Sequence, residues 1–548
     1  ARQSDYFNYS LGGNISHTTR KIELSGDISR NDSKGKNDTY KEYIFQDYSR
    51  ISDRRNEFTW QTLGINGLFK YKFNNRWSAG VIVNYSNNRT KNNIIDKTID
   101  RGESLLSQTI VPFYPENAVT LTGFADWAID DKGKMLSLTY NRFDKRLSSF
   151  SDISTQWEDS KITRITKDDS NRYGIHSVKL DATLPFHSFK IETGGAYTAI
   201  RNKTGLTISN DIAGSLVVDP AQSNHFRYDE KTAALYISAE KNITNSLFGK
   251  IGLRYEHTDV AVLQEADNSR NRNGHDYLFP TVLLSWSIPD GGRLAADYSM
   301  GISRPSFGDL NPFRYYTTVN DYFTGNPKLK SMIVHNVGIN YSYKGFYAVL
   351  YSSWNRDAIG YITYFSPDGM QWTIPENCFN KLKTGIYASY SRSLFNRWNI
   401  NVGGEVFYSE TDSDNPYYKD DKESGWSGKL ELNTSLMLTR KKNLIFNLRC
   451  THYFPYQDGM IKYENRTFLN CELRYMLLDN RLTMTAAVTD PFGWSSTNST
   501  ATFNDYTLNS KNNVHQHAVA LRISYSFGGK KVNNVYRDSK ERESQRAN

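Results

Sequence analysis

His515 and His517 stand two residues apart, which on a β-strand puts both imidazoles on one face, where they could hold a metal ion. The plainer account is a polar pair at the mouth of the last strand. Asp412, Asp414, Asp420 and Asp421 share one loop with Tyr417 and Tyr418 between them. Loop carboxylates suit Ca²⁺, but their spacing matches no calcium loop, so a solvated acidic loop accounts for them. Three cysteines, Cys378, Cys450 and Cys471, are too few for a disulfide framework or a thiolate metal site. No acid, base and nucleophile cluster along the chain, so neither enzymatic activity nor a cofactor is expected. Aromatic-rich loops are the stronger candidates for binding. They carry Tyr315, Tyr316, Tyr322 and Phe323, then Trp372, then Tyr417 and Tyr418, then Trp494 and Tyr506. Aromatic faces with Asn and Asp nearby suit sugars, peptides or siderophores alike, and interfacial or loop packing is the simpler role for the same rings.

The elements that must position these loops follow from a period of two. Val519, Leu521, Ile523, Tyr525 and Phe527 alternate with Ala520, Arg522, Ser524 and Ser526. Trp77, Ala79, Val81, Val83 and Tyr85 alternate with small and polar residues in the same way, as do Val337, Ile339, Tyr341 and Tyr343. Such runs are strands with one apolar and one polar face. The second face carries charge in mid-strand, at Asp181, Lys190, Glu192, Glu240, Lys250, Arg254, Glu256, Asp297, Glu431, Glu472 and Arg474. A chain of 548 residues is 38% hydrophobic yet 14% aromatic. It contains no run of about 20 apolar residues, which excludes a helical membrane protein. About twenty strands without helices to cover them would leave many open edges. A single closed barrel removes every edge and puts the apolar face in lipid. On this reading Cys450 and Cys471 face lipid from neighbouring strands, out of register for a disulfide. The net charge of +9 is spread along the chain, so no nucleic-acid partner is expected.

Ten tight turns recur about every 50 residues, from Thr18-Thr19-Arg20 through Lys344-Gly345 to Asp479-Asn480-Arg481, each rich in Asn, Asp, Gly or Ser. The connections between them are mostly longer. Short turns on one side and long loops on the other predict an outer-membrane barrel with the short side periplasmic. The turns account for twenty strands and the run ending at Phe527 for one more. Because such barrels have even counts, the expectation is an all-β, transmembrane antiparallel β-barrel of the 22-stranded type. The first strand is then expected to lie outside this chain. Residues 1–529 form the barrel, and 530–548 a polar periplasmic tail, solvated and disordered. A targeting peptide, if the protein is exported, lies upstream of Ala1.

Ser303-Arg304-Pro305-Ser306-Phe307, Leu310-Asn311-Pro312-Phe313 and Gly325-Asn326-Pro327-Lys328-Leu329-Lys330 resemble TonB-dependent receptors, most nearly the outer-membrane barrel receptors of Bacteroidetes-type bacteria. The segment is under a tenth of the chain, within a strand-and-turn pattern that covers nearly all of it. The resemblance implies a barrel closed by an N-terminal plug. It further implies that a ligand bound at extracellular loops is imported with energy relayed through the plug by an inner-membrane complex. This chain carries no plug sequence, which an upstream segment or another chain must then supply. Lipopolysaccharide and other outer-membrane lipid would surround it, and envelope proteins are further candidate partners. A scaffold barrel in an envelope complex and a passive porin are the rival readings. Pro305 and Pro312 cannot donate to a ladder, so the motif is expected to mark a strand leaving the sheet for a loop, a structural role.

Overall fold

Alternation carries through to the three-dimensional structure. The computed structural model describes residues 2–3, 6–159, 161–264, 269–420, 422–528 and 542–547. Among them, one antiparallel sheet closes on itself. Twenty-one strands run around the ring in chain order, beginning at Phe7–Thr18, Ile22–Ile44 and Ser49–Lys72 and ending at Arg466–Leu477, Leu482–Thr489 and Ala518–Tyr525. The place that the turn count left empty is taken by Arg2–Gln3. Those two residues pair with Asn8 and Phe7 on one side and with Ala520 and Val519 on the other. The expectation of a first strand wholly outside this chain is corrected to that extent.

Lys344 (φ 43°) and Gly345 (φ 86°) make one of the short turns, with the positive φ at both central residues that a two-residue hairpin demands. Strand length differs around the ring. Those from Ile22 to Ile212 run to 22–26 residues, whereas about 9–11 suffice to cross the hydrocarbon. They therefore rise as a wall on the long-loop side. Leu482–Thr489 and Ala518–Tyr525 have only eight residues each. Above them the loop strand Thr507–Asn513 pairs with Asp38–Ile44 and extends the wall.

Register sorts the two faces. Leu235, Tyr255 and Leu278 face one another across three strands, as do Leu350, Ile386 and Val406, and all are exposed outward. Trp77 and Trp127 stack at 5.1 Å beside a short turn, as an interfacial girdle requires. Cys450 opposes Leu469 and Cys471 opposes Leu448 on this same face, two residues out of register, and both thiols are free. On the inner face Lys190 reaches Glu192 at 2.7 Å and Glu240 at 3.0 Å, and Lys250 joins the same two carboxylates. Tyr236 donates to Asp181 at 2.6 Å, its ring lying over Gly194, where a Cβ would come within 2.4 Å of the hydroxyl. Leu350→Arg places a charge in the outward band and is expected to cost roughly 2–4 kcal/mol near mid-membrane. Arginine at Ser352, which is nearer the outer end of the same strand, should cost less, and urea unfolding in lipid vesicles measures the difference.

Candidate functional site

The strand Gly292–Ser303 ends where Pro305 removes a ladder donor, and the chain turns inward instead of outward. The loop to Met332 packs on the inner wall. Phe307, Leu310, Phe313, Tyr316 and Tyr322 join Ile153, Ile175, Leu206 and Ile208 of the wall in one buried apolar cluster. Each half of the sequence motif has a mechanical part. The Ser306 hydroxyl accepts from the Asp309 amide at 3.0 Å and donates to its carboxylate at 2.8 Å, closing a turn. Asn311 donates to the Tyr315 hydroxyl at 2.7 Å. Gly325 donates its amide to the Asn311 carbonyl at 2.8 Å, and a Cβ there would lie 2.4 Å from that oxygen. Only glycine lets Leu310-Asn311-Pro312 and Gly325-Asn326-Pro327 close back to back. Asn326 then ties the loop to the Pro375 carbonyl at 3.2 Å.

Arg304 fastens the loop electrostatically. Its guanidinium lies 2.8 Å from Glu256, 3.2 Å from Glu543 and 3.7 Å from Glu230. Arg546 completes the network at 2.9 Å from both Glu230 and Glu543, with its guanidinium 4.5 Å above the Phe307 ring. Tyr228 donates to Glu230 from the side. Burial opposes charge on both guanidiniums, but the surrounding carboxylates outweigh it and raise both pKa values. The Arg546 side chain is only 9% exposed.

For its described residues, Arg542–Ala547, the tail departs from the expected solvated state. Arg542–Ala547 forms a short 3₁₀ helix inside the ring, with the Ala547 carbonyl accepting from Lys145 at 2.9 Å. The physical reason is the buried carboxylate Glu230, which Arg304 approaches only to 3.7 Å, whereas Glu256 has both Arg254 at 2.6 Å and Arg304 at 2.8 Å. The rest of the tail, including Lys530, Lys531, Arg537 and Lys540, lies outside the described residues. A cavity of about 150 Å³ remains beside the network, lined by Tyr228, Arg304, Leu310 and Leu329.

A larger polar pocket of about 360 Å³ opens between the hairpin Arg314–Thr324 and the wall strands around residues 37–56 and 94–98. Its floor is charged. Arg54 meets Asp96 at 2.7 Å and Asp321 at 3.6 Å, while Arg50 donates to the Gly369 carbonyl at 2.8 Å. Gln371 donates to the Tyr43 hydroxyl at 3.2 Å. Among the aromatic candidates, Tyr316 and Tyr322 pack ring to ring at 5.4 Å behind this hairpin. Trp372 stacks on Tyr322 and on Tyr364, and Phe323 lies 6.3 Å from Tyr361. Tyr417 abuts Tyr364 at 4.2 Å; Tyr418 and Tyr506 are buried with Phe503 in a second loop cluster. Trp494 stands apart, exposed beside Phe492.

The histidine pair precedes the last strand, and does not lie on it. His515 has a positive φ of 44° and bonds Asp38 at 2.7 Å. Asp412 pairs with Lys422, while Asp421 lies outside the described residues. Among the described residues, no three His, Cys, Asp or Glu side chains meet to hold a metal. Sequence reading missed Tyr228, Glu230, Arg50 and Arg54. No sequence signal singles out Glu230, because the burial of Arg304 that calls for a carboxylate follows only from the inward fold of the loop.

A closed ring with an apolar outer band, a charged lumen and an inward-folded loop defines an outer-membrane barrel. The chain belongs to the outer membrane protein beta-barrel family, whose model matches residues 127–525, and the bacterial outer membrane is its location. Its fold is shared with the ferric yersiniabactin uptake receptor of Yersinia pestis. The identity is 13% and the TM-score 0.58, over 95% of this chain and 79% of that one. The ferripyoverdine receptor of the outer membrane of Pseudomonas aeruginosa is similar at 11% identity and TM-score 0.53, over 94% and 71% of the two chains. The ferric citrate transporter FecA aligns at 9% identity and TM-score 0.53, over 94% and 78%. No curated protein matches the chain. The likeness to TonB-dependent receptors read from Ser303 to Lys330 holds for the fold.

Proposed function

We propose that the protein is the translocating barrel of a TonB-dependent receptor, with long loops extracellular and short turns periplasmic. It captures a small polar ligand at the loop side and passes it down the charged lumen, and it is not an enzyme. A plug segment closes the lower lumen and relays energy from an inner-membrane complex. The observation that carries this reading is the inward loop. Ser303–Ser331 is fastened across the lumen by buried charge and leaves beside it a polar pocket backed by stacked aromatic rings. A passive porin has no need of the pocket, and a scaffold needs neither. Arg54, Asp96 and Asp321 hold the ligand's polar groups, and Tyr316, Tyr322 and Trp372 stiffen the hairpin that presents them.

Protein extracted from native outer membranes is expected to carry a small molecule, released on denaturation and identified by mass spectrometry. An Arg54→Ala, Asp96→Asn variant should carry at least tenfold less. Equal small-molecule content in both proteins, together with steady open conductance in planar bilayers, would return the chain to the porin reading.

A further inference from the structure

Outside the ring, above the apolar band, the tall wall carries a row of like charges that the transport reading does not use. Tyr140, Val178 and Tyr197 oppose one another on adjacent strands and form the last large outward apolar row. Six residues further toward the loops, Arg146, Arg172, Lys203 and Arg227 stand directly opposite one another on four consecutive strands. At about 3.3 Å per residue that is roughly 20 Å along the strand, and less in height because barrel strands tilt. Like charges directly opposite in an antiparallel sheet repel. Asp229 relieves part of the row, lying 2.6 Å from Arg227 and 2.7 Å from Arg201. Among the described residues, Arg146, Arg172 and Lys203 have no ion pair. Between this row and the aromatic edge lies a hollow of about 750 Å³, its floor made small by Gly174, Ala199 and Ala261.

We infer that this hollow binds the phosphorylated headgroup of the outer-leaflet glycolipid, the lipopolysaccharide that would surround the barrel. Height, sign and shape agree. The hollow begins at the aromatic edge, where the headgroup layer starts, and the row closes its upper end. Guanidiniums offer forked donors that match phosphate oxygens two at a time. The small floor admits a sugar, and Tyr197 below it meets the acyl chains. An anion between facing cations turns their repulsion into shared attraction. The inference is independent of whether the barrel transports anything.

The test uses the full chain, purified in mild detergent and mixed with lipopolysaccharide, with phosphatidylcholine micelles or with inorganic phosphate. The wild type is expected to retain lipopolysaccharide through washing, read as phosphate and hydroxy fatty acid per protein, and to lose it as salt rises. The Arg172→Glu, Lys203→Glu variant should retain less than a tenth as much. Arg30→Glu, a charge change on the outer face away from the row, should retain it fully. Heat-dependent gel mobility reports whether each barrel is folded; if the double reversal is not, Arg146→Gln with Arg172→Gln takes its place and should lose at least half. Equal retention by the wild type and the row variants overturns the inference. So does inorganic phosphate binding with lipopolysaccharide binding no better than phosphatidylcholine.

Discussion

Arg304→Ala is expected to release the inward loop and let ions flow through the barrel. The substitution leaves Glu230 and Glu543 with Arg546 as their guanidinium and Glu256 with Arg254. Removing one member of a buried ionic network costs about 3–5 kcal/mol, because uncompensated charge stays buried. The barrel need not unfold to escape that cost. Its ladder closes without the loop, so the cheaper route is for Pro305–Ser331 to leave the wall and for water to reach the carboxylates. Two readouts follow. Amide exchange should accelerate at Phe307, Leu310 and Gly325, whose N–H groups donate to carbonyls within the docked assembly, while the ladder amides stay protected. Conductance in planar bilayers should rise above that of the wild type. Arg304→Lys keeps the charge but not the fork that touches three carboxylates, and should fall between the two. Unchanged exchange in Arg304→Ala would mean that apolar packing alone holds the loop.

Much of this architecture was legible in the sequence because a barrel wall is a local code. Alternation at Val519–Phe527 or Trp77–Tyr85 states directly which side chain meets lipid, and each short turn announces itself by its Asn, Asp or Gly. The twenty-second strand was not legible, since Arg2–Gln3 has too few residues to alternate and is defined only by its two neighbours. The site was legible in part. Its motif could be found, and Pro305 explains why the strand stops, but direction is a tertiary property. Whether the chain leaves outward or folds in depends on the fit of Phe307 and Phe313 to Ile175 and Ile208, more than 95 residues away in sequence. Aromatic content likewise singled out loops without giving each ring a role. Tyr418 and Tyr506 turn out to be packing rings, and the polar floor comes from Arg54 and Asp96, which looked like ordinary wall residues. The tail misled for a related reason. A polar segment with basic side chains reads as solvated until the buried acids that attract it are placed.

Phe307→Ala should rival Arg304→Ala in size while leaving every charge in place. The ring is 2% exposed, lies 5.6 Å from both Tyr173 and Tyr228, and carries the Arg546 guanidinium at 4.5 Å. Truncating a buried phenylalanine costs about 3–5 kcal/mol in lost burial and cavity, and here the cation–π contact goes as well. Phe323, half-buried at the rim of the same loop, offers the contrast, and Phe323→Ala should cost much less. The informative experiment combines Phe307→Ala with Arg304→Ala. If the loop docks as one unit, the first substitution already undocks it and the second has little left to remove. The double variant's exchange and conductance should then match either single variant, far short of the sum. Full additivity would mean that the loop stays docked in each single variant, held by two independent fastenings. The lumen would then close by a fixed wall insert, and ligand would have to pass around it instead of displacing it.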